Sequence, residues 1–121
     1  MSKFMLLIYA NPTEVAALSD AEGAVLGQEY GAFTQELAAS GAMLGGDALA
    51  YPQEGKSIGR DGVVTDGPFA EATEFLGGFY LVDLPDMAEA LRWGAKLPGA
   101  VRGLDRIEVR QIQEQPGGQQ G

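Results

Sequence analysis

Phe4-Met5-Leu6-Leu7-Ile8-Tyr9 is a continuous apolar run that ends at Asn11-Pro12. A run of this length without polar interruption predicts a strand covered on both faces, in the interior of a sheet. Ser19-Asp20-Ala21-Glu22 has the spacing of a capping box, and its two acids suit the positive end of a helix. Leu26, Tyr30, Phe33 and Leu37 then recur at helical intervals. They predict a helix from about Asp20 to Ser40 with these four on one face and Gly41 at its stop. Gly23, Gly27 and Gly31 fall inside it, four apart. They weaken the helix and leave a smooth strip, which either admits a close neighbour or is simply tolerated.

Beyond the helix, Ala42 to Tyr51 reads as a second strand interrupted by Gly45-Gly46, followed by a polar loop from Pro52 to Lys56. Ser57 to Thr65 is split by Asp61-Gly62, which predicts a hairpin with a two-residue turn. Asp66-Gly67-Pro68-Phe69 is a dense turn signal. Phe75 to Val82 is another apolar strand, with Gly77-Gly78 in its middle. Asp86 suits the cap of a second helix with Glu89 three residues on. Met87, Ala90, Leu91, Gly94 and Ala95 form its expected inner face, and Pro98-Gly99 ends it. From Arg106 to Ile112 the pattern alternates, with Ile107 and Val109 on one face and Arg106, Glu108 and Arg110 on the other. Gln, Gly and Pro dominate residues 113–121, which predicts a disordered tail after a single domain spanning 1–112.

The order of these elements is strand, helix, strand, small hairpin, strand, helix, strand. It predicts an α+β fold on the ferredoxin-like βαββαβ plan with an inserted β-hairpin, both helices packing on one face of an antiparallel sheet. The strands at Phe4 and Phe75 are apolar on both sides, so the second face of the sheet also needs cover. A second copy stacked sheet to sheet would supply it, which predicts a homodimer, a dimeric α+β barrel with space between the sheets.

Composition narrows the chemistry. At 121 residues the chain has the length of one domain, and a domain this small gains from pairing. It has no cysteine and no histidine. Disulfides, thiolate nucleophiles, Ser–His triads and His-ligated zinc are therefore excluded. The net charge of -9 disfavours phosphate backbones and anionic headgroups, so nucleic-acid and membrane binding are not expected. No apolar run is long enough to span a bilayer, and Met1 to Ala10 lacks the basic region and cleavage site of a signal peptide. A cytoplasmic location without cofactor or metal is the resulting expectation. Asp83 and Asp86, two acids three apart, are too few to argue for a metal site.

Val64-Thr65-Asp66-Gly67-Pro68-Phe69-Ala70-Glu71, followed by Phe75-Leu76-Gly77-Gly78-Phe79-Tyr80-Leu81-Val82, resembles the signature of the DGPF branch of the YCII-related proteins. The resemblance extends from the opening strand to Ile107-Glu108-Val109-Arg110. It implies a ferredoxin-like fold and a dimeric α+β barrel. It also implies a regulatory setting, since some DGPF proteins are encoded beside alternative sigma factors. The wider family carries a His–Asp pair thought to be catalytic. Aligned on this sequence, the histidine falls near Tyr30. The aspartate precedes the proline after the second helix, where Leu97 precedes Pro98, so the resemblance implies that this dyad is absent.

Without histidine, a carboxylate is the best remaining group for proton transfer near neutral pH. Asp66 is the candidate. A carboxylate dried by Phe69 and Phe75, with Glu71 and Glu74 close in sequence, would have a raised pKa and act as acid or base at the rim of the inter-sheet space. Turn chemistry alone also accounts for Asp66, Gly67 and Pro68, with Phe69 as their anchor. Arg60 and Arg110 are candidates to hold a ligand carboxylate. Glu108 and Arg110 otherwise neutralise each other or point to solvent. Tyr9 and Tyr80 offer hydroxyls toward the same space. Trp93, off the expected inner face of the second helix, is either packing or a contact to a partner. Gly77-Gly78 lies inside a strand without a following helix or lysine, so it predicts a bulge or a close backbone approach rather than a phosphate loop. Three functions fit these residues: a small-molecule- or partner-binding module without catalysis, a cofactor-free enzyme using a carboxylate, or a purely structural dimer.

Overall fold

The opening apolar run becomes strand β1 (Ser2–Ala10) in the computed structural model, which describes residues 1–68 and 73–114. A short helix follows at once, α1 (Pro12–Ala17). Asn11 accepts hydrogen bonds from the amides of Thr13 and Glu14, and Pro12 occupies the first turn, where its missing N–H is no loss. The sequence pattern ended the strand here without assigning this helix, although an Asn cap followed by Pro is its signature. Helix α2 (Asp20–Ala39) starts on the expected capping box: Ser19 Oγ accepts from Glu22 N–H, and the Glu22 carboxylate accepts from Ser19 N–H.

Strand β2 (Met43–Ala48) leads to a 3-10 turn at Pro52–Glu54 and then to β3 (Lys56–Ile58) and β4 (Val64–Asp66), which among the described residues pair only with each other. Their connection is longer than the two-residue turn that Asp61-Gly62 predicted. Residues 59–63 form a loop closed by Gly59 N–H to the Val63 carbonyl, and Asp61 turns its carboxylate back onto the Val63 amide. Gly62 takes a φ of 82° there, a left-handed value that glycine adopts without a Cβ penalty.

Strand β5 (Phe75–Leu84), helix α3 (Met87–Ala95), a one-turn helix α4 (Pro98–Val101) and strand β6 (Asp105–Gln111) complete the chain. The main sheet has the order β2-β5-β1-β6, antiparallel throughout. The fold is therefore mixed α+β. The register between β1 and β5 shifts between Ile8 and Tyr9, where Ile8 faces Gly78 and Tyr9 faces Leu76. Gly77 is the extra residue, the bulge that the Gly-Gly pair predicted. A Cβ on Gly78 would stand 3.0 Å from the Asp47 carbonyl, so this residue also lets β2 lie close.

Side chains alternate strictly on β1. Phe4, Leu6, Ile8 and Ala10 are buried toward the helices; Met5, Leu7 and Tyr9 point to the other face and are half-buried. Leu6, Leu37, Val82 and Leu97 have no exposed surface, and each such side chain contributes about 1.5–3 kcal/mol by leaving water. From the helix side, Phe33 and Leu37 of α2 and Ala90 and Gly94 of α3 complete the core. A Cβ on Gly94 would lie 3.3 Å from Val109 and 3.6 Å from Ile107, so this glycine sets how closely α3 approaches β6.

The inner face of α3 differs from the expected one. Met87, Leu91 and Ala95 are exposed, whereas Trp93 packs against the core with its ring 5.9 Å from that of Phe33, edge to face. The helix is rotated because its smallest residues, Ala90 and Gly94, are the ones that fit against the sheet. This leaves Trp93 to fill the margin toward α2.

Candidate functional site

Small residues on the inner face of the sheet create a cavity. Gly46 of β2 lies beside Tyr80 of β5. Ala48 lies beside Gly78, which lies beside Ile8 of β1, and Ala10 lies beside Asp105 of β6. With little or no side chain at four of these positions, α2 bridges the sheet without filling the space beneath it. The result is a cavity of about 430 Å³ roofed by Leu26, Tyr30 and Thr34 of α2 and by Val15 and Leu18 around α1. That size suits a small organic ligand.

One end of this cavity is polar. Tyr30 Oη donates to Asp105 Oδ2 (2.9 Å) and accepts from the Gly99 amide (3.2 Å). One turn along α2, Thr34 Oγ1 donates to the Tyr30 carbonyl (2.9 Å) and lies 2.7 Å from Tyr80 Oη. Gly99 lies so close that a Cβ there would stand 2.7 Å from Tyr30 Oη and overlap the Asp105 carboxylate. Burial, reinforced by the charge of Asp105 and the bond to it, pushes the Tyr30 phenol far above its ordinary value. It is therefore a proton-bearing donor at any physiological pH. Asp105 is also pushed up from the usual carboxylate range by burial, against the opposing effect of the hydrogen bond from Tyr30.

The residues expected to carry chemistry are mostly elsewhere. Asp66 ends β4 on the outlying hairpin; its side chain is 85% exposed and ion-paired with Lys56. Among the described residues it is not dried by a cavity, because β3 and β4 pair with each other and stand off the main sheet. Arg60 is exposed in the loop between those strands. Phe69 and Glu71 lie outside the described residues, while Glu74 forms an ion pair with Arg106. Tyr9, Glu108 and Arg110 occupy the open face of the sheet, where Tyr9 is half-buried and the two charged residues are exposed; Glu108 lies opposite Leu7, and Arg110 opposite Met5. Among the described candidates, Tyr80 lines the polar end of this cavity, on the helix side of the sheet and not in the inter-sheet space expected for it alongside Tyr9.

Thr34 and Asp105 were missed as site residues, and Tyr30 was noted only for its helical face and its aligned position. Asp105 had a legible signal. It shares the parity of Ile107 and Val109 on β6, so it points inward if the strand begins one residue earlier than the charge pattern indicated. The spacing of Tyr30 and Thr34, one turn apart, was equally visible.

Comparison with known proteins adds a family. The model of the YCII-related domain matches residues 2–114 of the chain. An uncharacterised protein of Rhizobium meliloti (strain 1021) is 44% identical over 50 residues, which is 41% of this chain and 40% of that protein. The chain thus aligns with less than half of that relative's length.

Proposed function

The chain belongs to the YCII-related family, and on that premise we propose that it is a small-molecule-binding protein whose ligand occupies the cavity between α2 and the sheet. The observation that carries this reading is the cavity itself: apolar along most of its wall, floored by Gly46, Ala48 and Gly78, with Tyr30, Thr34, Tyr80 and Asp105 converging at one end. Apolar pockets with a few converging polar groups are the usual form of a ligand site. A thermal-shift screen over a broad small-molecule panel tests it. A ligand at about 100 times its Kd adds about 2.7 kcal/mol to the folded state, a rise of several degrees in a domain of this size. Ala48→Phe, which fills the floor, should abolish the shift while leaving the unliganded melting temperature nearly unchanged. Equal shifts in both proteins would place binding elsewhere.

The finer architecture belongs to the same proposal. The strand order and the two helices on one face support a ferredoxin-like plan with an inserted hairpin, and Asp66-Gly67-Pro68-Phe69 ahead of β5 supports the DGPF branch. Met5, Leu7, Tyr9, Phe79 and Leu81 form an apolar sheet face that its own helices do not cover, which supports a homodimer. A regulatory role fits a binding module of this kind.

A second reading has one observation in its favour. Asp105 is a half-buried carboxyl, raised by burial and held by Tyr30 at the edge of the cavity, and a perturbed carboxyl lining a cavity is a candidate for acid–base chemistry. On this reading the chain is a cofactor-free enzyme. Asp105→Asn would then abolish turnover of any substrate found, whereas Asp66→Asn would leave it intact.

A further inference from the structure

Among the described residues, every side-chain proton at the polar end of the cavity is already committed. Tyr30 spends its hydroxyl proton on Asp105 Oδ2. Thr34 has a single hydroxyl proton, and it goes to the Tyr30 carbonyl. The 2.7 Å contact between Thr34 and Tyr80 must therefore be donated by Tyr80. What remains is acceptor capacity: the second lone pairs of Tyr80 Oη and Thr34 Oγ1, and Asp105 Oδ1, which takes no hydrogen bond among the described residues while Oδ2 takes that of Tyr30.

Charge points the same way. The chain has 8 lysines and arginines, all of them among the described residues, and none lines the cavity, whereas Asp47 and Asp105 do. Lys56, Arg92, Lys96, Arg102 and Arg106 are engaged in ion pairs at other places. The rest of the wall is apolar, with Ile8, Val15, Leu18, Leu26 and Met43 prominent.

Resting on the cavity reading above, we infer that the ligand is a small apolar molecule ending in a cationic amine, held by Asp105 and Tyr80, and that carboxylates and phosphates are excluded. An ammonium group carries only donors and would find only acceptors. Its bond to Asp105 is charge-assisted, and the carboxylate is half-buried, which favours a strong hydrogen bond. An anion would meet no side-chain donor and would face a carboxylate across a partly dried wall. The overall charge of -9 adds attraction at longer range for the cation and repulsion for the anion.

Probes that share a skeleton and differ only in the end group separate these cases: 2-phenylethylamine, 2-phenylethanol and phenylacetate, together with the butyl series, titrated by calorimetry and thermal shift at neutral pH. The expected order is amine, alcohol, carboxylate, with the amine tenfold or more ahead of the carboxylate, about the worth of one hydrogen bond to a charged group. Asp105→Asn keeps an acceptor for Tyr30 but removes the charge, and should erase most of that preference. Tyr80→Phe keeps the ring and should weaken amine binding several-fold, which guards against a misfolded Asp105 variant. Carboxylates binding as well as amines would overturn the cation inference and leave the cavity reading standing. An amine preference untouched by Asp105→Asn would overturn the role of Asp105. If neither these probes nor the broad panel raises the melting temperature, the cavity reading fails and the inference fails with it.

Discussion

Gly99 lies against both Tyr30 and Asp105, and only the absence of a side chain lets the two meet there. Its amide also donates to Tyr30 Oη, so backbone and bare Cα together hold the phenol in place. A methyl group at this position must displace the Asp105 carboxylate, which is short and part-buried and has little freedom to swing away. Gly99→Ala is accordingly expected to cost roughly 1–3 kcal/mol, the usual penalty for overpacking, and to break the Tyr30–Asp105 bond. Urea unfolding gives the first number, and the tyrosine hydroxyl's hydrogen exchange reports the second. A variant as stable as the parent with the bond intact would mean that the pair is held by something other than this close approach. Neighbouring charges matter less. The Glu29–Arg102 and Glu36–Lys96 pairs bridge α2 to the α3–α4 region on the surface, where exposed pairs contribute about 0–1 kcal/mol.

At the scale of elements, α2 carries two different faces. Leu26, Tyr30, Phe33, Thr34 and Leu37 make the roof and the core contact, and the spacing of the four apolar members was plain in the sequence. Gly23, Gly27 and Gly31 lie on exposed positions, and a Cβ at any of them would meet nothing within 4 Å. Among the described residues the strip therefore serves no close packing. Gly27→Ala should stabilise the chain by up to about 1 kcal/mol, the difference in helix propensity between the two residues, read as a higher midpoint in denaturant. A destabilised variant would show instead that the strip receives another molecule. The register of the strands had a different source. Alternation identified the buried face of β6, but the shift at Gly77 and the small floor of the cavity depend on which strands become neighbours.

For the whole molecule, the uncovered sheet face is the feature with the largest consequence. Leu7 stands at its centre, flanked by Phe79 on one side and Glu108 on the other. Burial of such a face by a second copy is the proposed solution, and Leu7→Lys should convert a dimer to a monomer at low micromolar concentration, seen by light scattering, with far-UV circular dichroism unchanged. A parent chain that is itself monomeric under those conditions would rule the proposal out. The inner cavity and this outer face lie on opposite sides of one sheet, so loss of pairing need not abolish ligand binding. Among the described residues, no helix is long and apolar enough to cross a membrane.

By itself the sequence determined the order of the strands and the two longer helices, the capping box of the main helix, the strand alternation and the family, because these rest on local periodicity and on short contiguous motifs. Its own chemistry also limited the site, since a chain without histidine or cysteine leaves carboxylates and hydroxyls to do the work. Tertiary structure decided where that work is placed. Asp66 sits in the most conspicuous motif, yet the fold leaves it on an exposed hairpin. Asp105, outside any motif, is carried to Tyr30 because β6 pairs with β1 and α4 turns Gly99 beneath them both. Contacts between residues some seventy positions apart in the chain arise from strand pairing and helix packing, and no pattern confined to neighbouring residues encodes which of them will meet.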